Sequence, residues 1–449
     1  MIKLLTTSRR FHRLADDLDV NAGRLLEGVS LEQLRDETFA YVKHVAEGVR
    51  TKGERAKHSQ VIPAGIAHSQ MQIWRNWDIP ADPAQFPVIP AGDGYALHAT
   101  PNRRPFRFTA IRHSTPAGTV VASSTAGMVV FPTSLCSSQI AVLLSRELQS
   151  SIPAGGNTRF ITALTHTEGC AAGYGVSASE GLWTYNRVSL GHLLHPCVSS
   201  CFLLEHGCEK TLLSYFAQLL VRRGLPGLAG FGHASVQGDG GIGAAIARGR
   251  RWALRSVGEG EEVSRGGDGL VLAMMSDRSR CRERPAGVMA AVAAWLVANG
   301  CVVVVPESDL LLASPAFRAM LDREAEEPLP ATLMAGETAI GRRAGLQVMR
   351  GTGPRDYLET VTALAATGAE GILVLSETPV VLSGHPFVPT IRVGVERGES
   401  DVFDVVTSDG EEALMDVLMD VLSRRRQTKT AERGLVDFQM PRTSLGFSL

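Results

Sequence analysis

Two short segments bring together the residue types that catalysis needs. Residues 165–170 read Thr-His-Thr-Glu-Gly-Cys, and residues 205–211 read Glu-His-Gly-Cys-Glu-Lys-Thr. Each follows a short apolar run, Phe160 to Leu164 and Cys201 to Leu204, so each places a His, a Glu and a Cys where a buried strand should end. In an open α/β sheet, ligands bind at the carboxyl ends of the strands. The two tips therefore read as one site built from two sides.

Cys136 follows a third apolar run, Met128 to Phe131. If these strands are parallel neighbours, the thiolates of Cys136, Cys170 and Cys208 converge. Three soft ligands and one open position suit iron, as Fe2+ or as an iron–sulfur cluster with a substrate-binding corner. The alternative is that each is a small buried apolar residue, the commonest fate of a cysteine. His166 and His206, as neutral imidazoles, could ligate the metal or act as a base, or could simply bond a backbone carbonyl at a strand end. Glu168 and Glu209 are the candidates for general base and general acid. Glu209 is expected to open a helix, where a carboxylate also serves as a cap. Lys210 could pair with a substrate carboxylate. His195, before Pro196, could contact substrate or fix a turn. Gly238 to Gly243 reads Gly-Asp-Gly-Gly-Ile-Gly. Around Gly240 and Gly241 such a strand-to-helix turn could present N–H groups to an anion, or be a tight turn without a ligand. The pair Cys197 and Cys201 has no second pair at zinc-finger spacing.

The elements that must position these residues alternate. Runs of strand length (Met128–Phe131, Phe160–Leu164, Cys201–Leu204, Leu270–Met274, Val302–Val305, Gly371–Leu375, Val388–Val395) are separated by helix-like stretches, clearest at Ser138–Leu148, Lys210–Arg222, Gly241–Arg251, Ala286–Asn299 and Tyr357–Thr367. Continuous Val/Ile/Leu strands with helices between them imply parallel sheets covered on both faces. The expected fold class is α/β: two wound units, 105–257 and 268–449, divided near Gly258 to Gly269 and preceded by an irregular N-terminal segment, 1–104, that resembles a tail.

Composition narrows the function classes. The chain has 449 residues, 45 basic and 46 acidic. That balance gives no field for nucleic acid or an anionic membrane surface, and no stretch approaches the ~20 apolar residues of a membrane span. A small molecule is the expected partner, with a homo-oligomer possible. The seven cysteines are odd in number and follow no secretory signal. This reads as a reducing compartment: the cytoplasm, or the mitochondrion if the acid-poor stretch Met1 to Ala15 is a transit peptide.

The chain also echoes itself. Ile2-Lys3 resembles Ile391-Arg392. Asp19-Val20 with Gly23 resembles Asp404-Val405 with Gly410. Leu31 to Val45 resembles Glu411 to Leu422 as a helix, and Arg50-Thr51-Lys52 resembles Gln427-Thr428-Lys429. Residues 2–75 read as a second copy of the C-terminal tail.

Taken in order, Pro132 to Cys136, Thr165 to Cys170, His195-Pro196, Leu204 to Thr211, Phe231 to Gln237 and Gly240-Gly241-Ile242 resemble the altronate/galactarate dehydratase family of sugar-acid hydro-lyases. Ser276-Asp277, Asn299-Gly300, Pro306-Glu307, Gly351-Thr352-Gly353 and Gly384 to Ile391 resemble its C-terminal half. The resemblance runs over about 105–449, and residues 2–75 resemble the family's tail. It implies an iron-dependent enzyme that removes water from a sugar acid to give a 2-keto-3-deoxy acid. The family's small N-terminal β-rich domain is not evident.

The chain departs from the family at three places. Ala273, Met274 and Met275 stand where the family has Cys-Gly-Gly. Leu375-Ser376-Glu377-Thr378-Pro379 replaces its Gly-Arg-Gly-Thr-Pro loop, and Leu212, Leu213 and Ser214 replace a His-Asn-Asp. These losses fit a changed substrate, or a catalytically degraded relative that serves as a structural or interaction subunit.

Overall fold

The computed structural model describes residues 94–97, 104–123, 126–154, 158–169, 178–209, 211–277, 281–321, 329–350, 357–398 and 401–442. The expected tail copy, most of the irregular segment, Cys170 and Lys210 lie outside them.

In chain order the elements are β1 (Phe108–Thr115), β2 (Gly118–Ser123), β3 (Gly127–Pro132), α1 (Leu135–Ser151), β4 (Ile161–Ala163), α2 (Ala178–Leu193), β5 (Val198–Glu205), α3 (Leu213–Arg222), β6 (Gly232–Ser235), α4 (Ile242–Ser256) and β7 (Glu261–Arg265). There follow β8 (Val271–Ser276), α5 (Glu283–Ala298), β9 (Val302–Pro306), α6 (Leu310–Ala313), α7 (Pro315–Met320), β10 (Gly345–Met349), α8 (Tyr357–Ala366), β11 (Ile372–Leu375), β12 (Thr390–Gly394), β13 (Val405–Val406), α9 (Glu411–Leu422) and α10 (Lys429–Glu432). The class is α/β, as the alternation of apolar runs predicts.

Two parallel sheets carry the fold. The first has the order β4-β3-β5-β6 and the second β10-β9-β8-β11-β12-β13. Their strands are apolar throughout because both faces are covered. In the first sheet, Met128, Val130, Phe202 and Leu204 pack under α1 and α4, while Val129, Phe131, Cys201 and Leu203 pack under α2 and α3. In β9 the alternation sends Val302 and Val304 into one core cluster and Val303 and Val305 into another. Helix α5 is apolar nearly all round, and Trp295 and Leu296 are fully buried against β8 and β9.

The two wound halves share one core. Phe131, Val188 and Leu193 belong to the same buried cluster as Val271, Val304 and Leu364. At the contact of α2 with α8, a Cβ on Gly191 would lie 2.1 Å from the Ala366 carbonyl oxygen, so glycine is what permits the approach. The stretch expected to divide the halves, Gly258 to Gly269, instead contains β7. That strand pairs antiparallel with β1, which pairs antiparallel with β2. This third sheet is an addition to the parallel pattern read from sequence. Tyr95, from the segment expected to wrap irregularly, makes an isolated antiparallel bridge to Leu346 at the edge of the second sheet.

Both parallel sheets reverse direction once. From β3 the chain steps outward to β4, then returns to β5 on the other side and continues to β6. The crevice between the carboxyl ends of β3 and β5 is therefore a topological switch point, and that between β8 and β11 is another.

Candidate functional site

The first switch point lies where the sequence places its chemistry. Pro132, Ala163, Glu205 and Ser235 end adjacent parallel strands, so the segments that begin at Thr133, Leu164, His206 and Val236 emerge along one edge. They are tied together by backbone. Thr133 N–H donates to Leu204 O (3.0 Å), Leu135 N–H to Glu168 O (2.6 Å) and Gln237 N–H to His206 O (3.0 Å).

Glu209 is the hub. It is 2 % exposed. Its Oε1 accepts from the His206 N–H (2.7 Å), Thr133 Oγ1 (2.5 Å) and Ser134 Oγ (3.3 Å). Its Oε2 accepts from the N–H groups of Gly207 (2.7 Å) and Cys208 (2.9 Å). The carboxylate thus bridges the tips of β3 and β5 and shapes the turn that carries His206 and Cys208. Glu209 was expected to open a helix. Instead α3 begins at Leu213, and Glu205 caps it by accepting the Leu213 N–H (2.6 Å). With both oxygens saturated, Glu209 is a turn organiser, not a poised acid.

His206 and Cys208 are half-buried, and His206 Nδ1 lies 3.2 Å from Cys208 Sγ and 3.3 Å from Gln237 Nε2. The donor atoms of His206, Cys208 and Glu209 all fall within 4.8 Å of one another. A tetrahedral ion held at ordinary Zn–S and Zn–N lengths separates sulfur from nitrogen by about 3.5 Å. Opening the His206–Cys208 contact by a few tenths of an ångström would therefore admit one. A third donor from Glu209 would have to leave its N–H partners.

His166 is buried beneath the same edge. Its Nε2 bonds Pro132 O (2.9 Å), and its Nδ1 accepts the Glu168 N–H (3.2 Å). Burial holds its pKa below the usual imidazole value. Both nitrogens are taken by backbone, so the expected catalytic role for His166 is replaced by a structural one: it joins the tips of β3 and β4. Glu168 carries its own partner. Arg442 Nε lies 2.9 Å from Glu168 Oε1, and Arg442 Nη2 donates to Thr167 Oγ1 (2.7 Å). Cys136 is exposed on the first turn of α1, at the β3 tip.

Two further expectations are corrected. His195 is fully buried away from this edge. Its Nε2 bonds Ala369 O (3.1 Å), its Nδ1 accepts the Cys197 N–H (3.1 Å), and burial pushes its pKa down to about 3. It fixes a turn and joins the two halves. Gly240 and Gly241 have φ of +93° and +110°, which requires glycine, but the Gly241 N–H is taken by Val236 O (2.7 Å). The loop closes on itself as a tight turn. Cys197 and Cys201 are both buried in the core, where burial raises their thiol pKa values, and they belong to no cluster of metal donors among the described residues.

Comparison with known proteins places this edge in a family. Residues 127–257 match the D-galactarate dehydratase/altronate hydrolase second domain, and residues 1–69 match the C-terminal domain of D-galactarate/altronate dehydratase. Over these residues the chain is similar to the D-galactarate/altronate dehydratase family. The second-domain match takes in all four tips of the first sheet, and the C-terminal match falls on the segment read as a copy of the tail. No curated protein matches the chain. Among solved structures, an E. coli ADP-heptose LPS heptosyltransferase II is similar at 12% identity, covering 67% of this chain and 99% of that one with a TM-score of 0.20, which carries no argument.

Arg442 lies outside the residues matched by either family domain. Sequence reading missed it because it lies 274 residues from Glu168. Its segment is pinned by Phe438 and Met440 in the core and by Gln439 at Thr167 (3.0 Å). Among the described residues, no helix is long and apolar enough to cross a membrane.

Proposed function

We propose that this protein is a hydro-lyase that removes water from a sugar acid, giving a 2-keto-3-deoxy acid, at the crevice between the tips of β3 and β5. The observation that carries this reading is the convergence of His206, Cys208 and Glu209 at the topological switch point of the domain that matches the dehydratase family. Loss of water beside a carboxylate needs a group to take the α-proton, a cation to stabilise the resulting enediolate, and return of that proton from the base to the departing β-hydroxyl, so that H and OH leave together as water. His206 Nδ1 and Cys208 Sγ are the donors that fit a soft divalent ion, iron by the family's habit, and such an ion would supply Lewis acidity toward the substrate carboxylate. Glu168 Oε2 has no hydrogen-bond partner among the described residues and is the atom assigned to receive the proton, with Arg442 on Oε1 fixing its direction.

Three observations favour a second reading, a silent relative that keeps the fold. Glu168 is ion-paired, Glu209 is saturated, and Met274 and Met275 are fully buried in β8 where the family has Cys-Gly-Gly. The deciding experiment is iron analysis of protein purified without oxygen, followed by a keto-acid assay over C6 aldonic and aldaric acids. Iron near one per chain with keto-acid release supports the enzyme. Neither iron nor product from any acid leaves the silent relative.

A further inference from the structure

The second parallel sheet has its own switch point, between β8 and β11, and a buried arginine stands beside it. Arg392, on β12, is 1 % exposed. Its Nη2 donates to Ser376 Oγ (2.8 Å), just past the end of β11, and to Val380 O (3.0 Å). Its Nε is buried without a hydrogen-bond partner, and Nη1 has none among the described residues. Among the described residues no carboxylate makes an ion pair with it: its backbone N–H, not its guanidinium, bonds Asp404 Oδ2 (2.7 Å). Tyr357, at the start of α8, lies within its electrostatic reach and has a second orphaned buried atom, the phenol oxygen. A buried guanidinium with unused donors is costly unless something accepts from it. Orphaned polar atoms of this kind in a native fold call for an unseen ion or water.

The surroundings say what that acceptor is. Arg392 lines a half-open cavity of about 10 Å³ that is also lined by Val380, Lys429, Thr430 and Arg433. That volume takes about one water-sized atom, such as a single oxygen with the rest of its molecule directed outward. Lys429 and Arg433 stand at the cavity, both paired with the exposed Asp401 (3.0 and 3.4 Å) and Lys429 also with Glu432 (3.8 Å). Asp277 and Asp404 are the acidic groups within reach of the guanidinium, which burial alone would depress. Asp404 is already engaged by the N–H groups of Arg392 and Lys429 (2.8 Å).

We infer that Arg392 binds one oxygen of a small oxyanion in the cavity that it lines with Lys429, Thr430 and Arg433, a site separate from the crevice between β3 and β5. The guanidinium offers the N–H donors. The inference does not rest on the dehydratase reading, and its test involves no turnover.

The test is thermal denaturation of the full chain in rising sodium formate and, separately, sodium phosphate, at fixed ionic strength and neutral pH. The expected result is a saturable rise of the midpoint. The formate and phosphate arms distinguish a carboxylate from a phosphate as the natural occupant. Arg392→Met should abolish the rise, and Lys429→Met, which removes a second cation from the cavity wall, should raise the half-saturating concentration roughly fivefold. The absence of a saturable rise with either anion, as a bridging water alone would give, overturns the inference; so does an equal rise in Arg392→Met. If Arg392→Met does not fold, an unchanged half-saturating concentration in Lys429→Met overturns it.

Discussion

Arg442 holds Glu168 from the far end of the chain, with its Nε 2.9 Å from Oε1 and its side chain 38% exposed against 12% for the glutamate. The pair sits on the tip of β4, so the C-terminal segment is part of the candidate site. Removing the arginine should cost little stability, because an ion pair this exposed contributes at most about 1 kcal/mol. It should nevertheless release Glu168 from its orientation. For Arg442→Gln we expect a nearly unchanged melting temperature and a keto-acid rate reduced roughly tenfold, the scale of a lost positioning contact. An unchanged rate would remove Glu168 from the proton-accepting role.

Cys208 and His206 should govern metal content without governing the fold. Both are half-buried, and neither belongs to a core cluster. Cys208→Ser and His206→Asn should each lower bound iron by at least tenfold, the scale of losing one ligand or its support. Metal analysis of anaerobically purified protein checks this. Iron retained in both variants would place the centre elsewhere.

Glu209 should behave in the opposite way. Glu209→Ala would strand the N–H groups of His206, Gly207 and Cys208. Each unsatisfied buried donor costs about 1–3 kcal/mol. We expect destabilisation of several kcal/mol by that reckoning, visible in urea denaturation, with the turn lost. A mild effect would show that the turn holds itself without the carboxylate.

Acid should loosen the joint between the halves. His192 Nε2 meets His385 Nε2 at 3.0 Å. His192 Nδ1 bonds Val188 O (2.7 Å), and His385 Nδ1 accepts the Val388 N–H (3.2 Å), so both rings are neutral. Burial lowers the pKa of His192 to about 4 and that of His385 well below its ordinary value. The unfolded chain therefore binds more protons than the native one below about pH 6.5. Stability is complete above that pH and falls as the pH drops toward 4, by up to ~1.4 kcal/mol per unit for each histidine. Melting temperatures between pH 4.5 and 7.5 should show this slope, and His385→Gln should flatten it. An identical slope in the variant would assign the acid sensitivity to other groups.

Gly191 should tolerate no side chain. The Cβ of Gly191→Ala would meet the backbone oxygen of Ala366 at 2.1 Å, and backbone cannot swing aside. Overpacking of this kind costs about 1–3 kcal/mol. A loss of that size in chemical denaturation is the expected outcome, and a neutral substitution would mean that α2 and α8 pack more loosely.

The sequence by itself determined the alternation of strands and helices, the parallel sheets and the tips that carry the candidate chemistry. These are written in local periodicity and residue type: a short, β-branched apolar run such as Val302 to Val305 fits a strand covered on both faces. Short motifs at those tips also carry the resemblance to the dehydratase family, which the match over residues 127–257 supports. The tertiary structure decided which of those residues are available. His166 and His195 carry the same imidazole as His206, but their nitrogens meet the carbonyls of Pro132 and Ala369. Glu209 and Glu168 look alike in the sequence, yet one closes on its own turn and the other meets an arginine 274 residues away. β7, read from the sequence as a boundary, became a strand only because β1 supplies it with partners. Hydrogen-bond partners, burial and ion pairs between distant segments are properties of the packed chain. Residue type and spacing do not encode them locally, so only the fold could assign them.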